Sequence, residues 1–266
     1  MARLDFPDYL EHIRAESRRF RDVLATCDPE ARVPGCPEWN AADLLWHLAE
    51  VQWFWAKTVR TRPLGPDEDE PGPERPADYD DLLKAFDEYS SALVSELEQA
   101  DPADEAWTWS AEQTVGFTFR RQAHEALIHR LDAEQTAGDV TPLDTALAAD
   151  GVEEVLDVMY GASPEWATFS PLDHRIRIDI TDTGESIWVQ LGRFRGTDPK
   201  DDVHYDDDDI RVIDDPGGEE PDAVISGDAA TLVTRFWRRG DGAEIHLAGD
   251  LKIVDHFRQV IHQPIN

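Results

Sequence analysis

The run His124-Glu125-Ala-Leu-Ile-His129 holds two imidazoles and a carboxylate. It invites comparison with the zinc-protease pattern His-Glu-x-x-His and departs from it by one residue. Histidines five apart on a helix diverge by about 140° at 3.6 residues per turn, so they cannot both face one ion. Glu125 and His129 stand four apart and share a face, where a carboxylate and an imidazole can ligate one divalent cation. Taken alone this spacing is weak, because most such pairs are neighbours on a solvated surface. A third ligand must come from another element. His47 lies in the apolar stretch Leu44-Leu45-Trp46-His47-Leu48-Ala49-Glu50-Val51. Three residues after Leu44 and four before Val51, it falls on or beside a buried stripe. A core histidine with one hydrogen bond is the bland expectation there. Facing helices of a bundle are also where metal sites are built. Two histidines and one carboxylate leave a position open for water or substrate, as catalytic zinc sites do.

Other candidates carry less. Cys36 precedes Pro37 shortly before a helix start, where a thiolate is favoured, but a packed turn residue is the commoner case. His124 points away from the Glu125–His129 face. Arg120, Arg121 and Arg130 flank that face; such a residue can bind a carboxylate bidentately, although exposed helix arginines are commoner. The run Asp206-Asp-Asp-Asp209 lacks the spaced ligands and glycine of a calcium loop and is expected to be a solvated loop.

The elements that must position these residues follow from periodicity. Apolar positions at three- and four-residue spacing predict helices over 6–27, 40–60, 79–100 and 117–137. Asn40 caps the second, with Asp43 at the capping-box position, and Gly138 stops the fourth. The segment from Pro63 to Pro76 reads as a loop. Four helices of this length predict a four-helix bundle. A further helix follows between Thr141 and Tyr160. Beyond it, His174 to Ile180 and Ser186 to Leu191 alternate with period two around the turn Asp182-Thr-Gly-Glu185, the pattern of a hairpin. Acidic 198–220 is expected to be an exposed loop around a short strand, Ile210 to Ile213. Short strands at 223–225 and 244–247 and helices at 228–239 and 251–262 complete an α+β domain. The expected division is a bundle over 1–150 and a smaller α+β domain over 151–266.

Composition excludes whole classes of function. Fifty-seven acidic residues against 25 basic give a formal net charge of −32. Binding to nucleic acid or to an anionic membrane needs lysine and arginine in excess, so neither is expected. A strongly acidic surface favours a soluble monomer, though weakly. Two cysteines make no disulfide framework, and no long apolar run predicts a leader or a membrane span, so a reducing cytoplasm is the expected location.

The segment Cys36-Pro37-Glu38-Trp39-Asn40-Ala-Ala-Asp43-Leu44-Leu-Trp-His47-Leu48, followed later by His124-Glu125-Ala-Leu-Ile-His129-Arg130-Leu-Asp132, resembles the two bundle motifs of the mycothiol-dependent maleylpyruvate isomerase family. That family is similar to the DinB-like metal-binding bundles. Two features depart from its pattern: Glu38 stands where glycine is usual, and Asn40 where serine or threonine often begins the helix. The second half resembles the family's α+β domain more loosely, through Ile225-Ser-Gly-Asp228 and Leu232 to Arg239. The resemblance implies a divalent metal, zinc first among the choices, held by His47, Glu125 and His129. It implies mycothiol as cosubstrate, bound as a metal-held thiolate that attacks a small electrophile in S-transfer or cis–trans isomerisation. Arg239 occupies a position where family members tend to keep arginine and is the candidate catalytic residue. The rival expectations are a non-catalytic metal and thiol sensor or carrier, a metal-free interaction protein, and a thiol-independent metal-dependent hydrolase.

Overall fold

Asn40 closes the start of the helix that carries His47. Its side chain accepts from the Asp43 N–H at 2.8 Å, and the Asp43 carboxylate accepts from the Asn40 N–H at 3.0 Å. This reciprocal box satisfies two of the amide groups that a helix start leaves unpaired. The chain is described by a computed structural model at residues 3–67, 70–164, 166–240 and 244–263. It divides into two compact units, Leu4–Pro142 and Leu143 onward.

The first unit is the four-helix bundle: α1 (Phe6–Leu24), α2 (Ala41–Thr61), α3 (Tyr79–Gln99) and α4 (Val115–Ala137). α1 stops three residues short of the expected Cys27, and Gly138 ends α4 at φ 78°. α1 packs on α4 and α3, and α2 packs on α3 and α4. Phe20, Leu24, Leu44, Leu45, Leu48, Leu82 and Phe86 interlock in the core, with the rings of Phe20 and Phe86 5.1 Å apart.

α4 departs from an ordinary amphipathic helix. Nearly every side chain from Val115 to Glu134 is buried, including Arg120, Arg121 and Arg130, which were expected on the surface. Charged groups stay inside only when paired. Arg130 donates through Nε to Glu16 at 2.6 Å and through Nη1 to Glu134 at 2.8 Å. Glu134 also accepts from Arg19 at 2.6 Å and from the Thr141 N–H at 2.9 Å.

The second unit begins with α5 (Thr145–Glu154), which continues as a π-helical turn over Val155–Tyr160. The expected boundary at 150 therefore falls inside a helix, and the division lies at 142/143. Five strands follow: β1 (Ala167–Ile180), β2 (Glu185–Thr197), β3 (His204–Ile213), β4 (Ala223–Gly227) and β5 (His246–Gly249). The sheet order is β3-β2-β1-β4-β5, antiparallel except for β1 with β4. α6 (Ala229–Phe236) packs on β4, and α7 (Leu251–Val260) on β1, β3, β4 and β5. The Asp206–Asp209 run is not a loop: it forms part of β3, opposite the arginines of β2. Arg193 reaches Asp208 at 2.7 Å and Asp206 at 3.0 Å, and Arg195 reaches Asp206 at 3.0 Å. Cross-strand charge pairs hold the register here in place of an apolar alternation. No described helix is long and apolar enough to cross a membrane.

The Arg130 cluster makes a direct prediction. Arg130→Ala leaves the Glu16 and Glu134 carboxylates without their buried cation and should cost about 3–5 kcal/mol of stability in urea unfolding. A loss under about 1 kcal/mol, the range of an exposed pair, would contradict the role given to this network.

Candidate metal centre

His47 projects from α2; Glu125 and His129 project from α4, one turn apart. Glu125 Oε1 lies 3.2 Å from His47 Nε2 and 3.1 Å from His129 Nε2. One donor atom from each of the three residues falls within 4.8 Å of the others. The sequence separation of 78 residues between His47 and Glu125 is bridged by the packing of α2 on α4. His124 is elsewhere, buried with its ring edge-on to Tyr9 at 6.2 Å, as the five-residue spacing requires.

Three further residues shape the site. Asp132 is fully buried, and its carboxylate lies 3.0 Å from His129 Nδ1. A carboxylate at that nitrogen fixes a proton there and turns Nε2 to Glu125, where it donates while the ring is protonated and offers a lone pair to a cation once that proton is lost. Arg121 donates to Glu125 Oε2, so the other oxygen, Oε1, is the one turned toward the two imidazoles. Trp39, just ahead of the α2 cap, packs against the His47 ring at 4.7 Å between centroids, the two planes tilted by 41°. Asp132 and Trp39 stand in the two motifs, but only folding gives them partners. Arg121, four residues before Glu125, is the helical ion-pair spacing that could have signalled its role.

Charge and burial oppose each other at these groups. Burial alone would raise the Glu125 pKa, but His129 and Arg121 and the hydrogen bonds from both imidazoles hold it well below the usual carboxylate range. Burial alone would lower His129, but Glu125 and Asp132 outweigh it and push the imidazole up to about 9. Without a cation, then, the site keeps a proton on His129 to neutralise its carboxylates.

The donor set fits a divalent ion. It offers two imidazole nitrogens and one carboxylate oxygen, with a second carboxylate behind one imidazole, the usual surroundings of a zinc-binding histidine. The 3.1 and 3.2 Å separations approach the edge of roughly 3.3 Å that a tetrahedral site with ~2.0–2.1 Å bonds requires.

The remaining candidates add no metal donor to this cluster. Cys36 is half-buried in the turn before α2 and packs against the bundle core; neither cysteine forms a disulfide. Arg121 and Arg130 are committed to carboxylates of the helical unit. Arg239 belongs to the second unit. Its Nη1 donates to the Trp237 carbonyl at 2.8 Å, and its guanidinium lies 6.0 Å from the Trp237 ring.

The raised His129 pKa makes a pH prediction for the metal-free protein. A group with a raised folded-state pKa stabilises fully below its unfolded value near 6.5 and loses that contribution as pH rises through about 9. Metal-free wild type should therefore lose stability from pH 7 to pH 10 more steeply than His129→Gln in urea titrations. Parallel profiles would contradict the protonated pair.

Residues 10–134, which include all three donors, match the protein family described as the mycothiol maleylpyruvate isomerase N-terminal domain. Two solved structures share the fold: a mycothiol-dependent maleylpyruvate isomerase, with a TM-score of 0.58, and a histidine-to-alanine mutant of that enzyme, with 0.59. Each is 15% identical, over 92% of this chain and 93% of that one. No curated protein matches the chain. Residues 10–134 are thus similar to the mycothiol maleylpyruvate isomerase N-terminal domain, and the chain shares its fold with the two solved structures.

Proposed function

We propose that this chain is a metal-dependent enzyme of the cytoplasm that uses a small thiol, mycothiol, as nucleophile toward a small electrophile. The observation that carries the proposal is the convergence of His47, Glu125 and His129 donors on one point, with Asp132 orienting His129. The family match over the same residues supports it. A divalent cation held by the three residues, zinc in this proposal, would lower the pKa of the thiol so that it reacts as thiolate near neutral pH.

The chain's own residues supply the rest. His129 gives up its proton when a cation replaces it, while Asp132 keeps the ring oriented. Arg121 keeps Glu125 ionised and turned inward. In isomerisation, sulfur adds to one carbon of an activated double bond, and the π pair moves to the neighbouring carbon and its carbonyl. The remaining single bond rotates, the pair returns, and the same carbon–sulfur bond breaks. In S-transfer a leaving group departs in place of the sulfur. Arg239 is proposed as a catalytic residue on the family resemblance alone.

Metal analysis and turnover assays test this together. Wild type should hold about one equivalent of zinc and convert electrophiles only with thiol present. His129→Ala should lose both properties. Arg239→Ala should keep the metal and lower kcat. Absence of metal after zinc loading, turnover without thiol, or metal and thiol binding without turnover would each contradict the proposal.

A further inference from the structure

Beside His47 the helical unit opens into a cleft of about 530 Å³. Its floor is one face of α2: His47, Val51, Phe54, Thr58 and Thr61, at helix positions i, i+4, i+7, i+11 and i+14. This is the face that presents the metal-ligating histidine. At 1.5 Å per residue the strip from His47 to Thr58 runs about 16 Å, enough for a small molecule whose reacting end sits at the metal centre.

The lining has a definite chemistry. Val51, Trp53, Phe54, Trp55 and Pro66 make its apolar part, and Phe54 is steadied by the Trp55 and Trp107 rings at 5.4 and 6.1 Å. Glu50, Asp67 and Glu70 add carboxylates to its walls. Lys57 is the one lysine or arginine among the described lining residues, and it is engaged: its Nζ lies 2.7 Å from Glu70 and 5.3 Å from the Trp53 ring centroid. The two charges of a cation at the centre would be met by Glu125 and the thiolate, so they leave little attraction for an anionic group further along the strip.

We propose that the electrophile of this chain is an uncharged α,β-unsaturated carbonyl compound with an alkyl or aromatic body, and that carboxylate-bearing electrophiles are rejected. The inference rests on the thiol-addition chemistry proposed above and names its substrate class. The body lies on Val51 and Phe54; Glu50 repels a carboxylate placed there, and the Lys57–Glu70 pair offers it no free cation. Sulfur adds to the alkene carbon and the pair shifts toward the ester carbonyl; after rotation the pair returns and expels the thiolate, so no co-reactant is consumed.

The test compares diethyl maleate with maleate, using zinc-loaded protein and mycothiol. Rates are taken above the uncatalysed reaction, and binding of each compound is followed separately by saturation-transfer NMR. The ester should bind, and its kcat/KM divided by its own uncatalysed rate constant with thiol should exceed the same quotient for the acid on the order of 10²-fold, the discrimination expected where like charges are brought together. Phe54→Ala should raise KM for the ester about tenfold, in line with losing part of an apolar contact in a pocket. Glu50→Lys, at an exposed position, should narrow the ester-to-acid ratio about tenfold with metal content unchanged. Maleate used as well as the ester would overturn this inference and leave the thiol chemistry standing. Ester binding sensitive to Phe54→Ala without any turnover would overturn the thiol chemistry, and the electrophile assignment with it. Binding of neither compound would overturn the cleft assignment alone if a different electrophile is still converted with thiol.

Discussion

A helix buried on nearly all sides can carry charge only if every charge meets its complement, and α4 imposes that condition on the helical unit. Its two ionic groups answer it differently. Around Arg130 the balance is closed, with the carboxylates Glu16 and Glu134 and the partners Arg19 and Thr141. Around Glu125 and His129 the metal-free balance depends on a proton on His129. A group neutralised by a proton in a buried, oriented setting is one that a cation can take over, because the cost of placing donors around it has already been met by folding. The closed cluster holds α4 in place and the open one gives it reactivity.

Much of this was legible in the residues. The capping box at Asn40 and Asp43 fixes the start of α2, and so the side on which His47 emerges. The spacing of Glu125 and His129 makes them one face, and the five-residue spacing removes His124; both hold in the structure. What brought His47 to that face was the family resemblance, since nothing local in sequence links residues 78 apart.

The less legible parts have physical reasons. Three arginines on one helix read as a solvated face, because sequence shows charge but not what meets it: Glu16 arrives from α1 at Arg130, while Glu134 and Glu125 of α4 itself take Arg130 and Arg121. The strand β3 hides its period because Asp206 and Asp208 pair with Arg193 and Arg195 across strands, where an apolar alternation would ordinarily mark the sheet face. The division between the units falls ahead of α5, because the change from helices to strands comes later in the chain than the change in packing. The orienting role of Asp132 needed the His129 ring to be placed before it could be seen.

The central claim is that two imidazoles and one carboxylate hold a divalent cation with a position left for a thiol. X-ray absorption at the zinc edge of the zinc-loaded protein, recorded before and after adding mycothiol, tests it most directly. The account predicts a first shell of only nitrogen and oxygen at about 2.0–2.1 Å with imidazole outer-shell scattering, gaining one sulfur at about 2.3 Å when thiol is added. A shell without imidazole scattering, or one that gains no sulfur with saturating thiol, would contradict it.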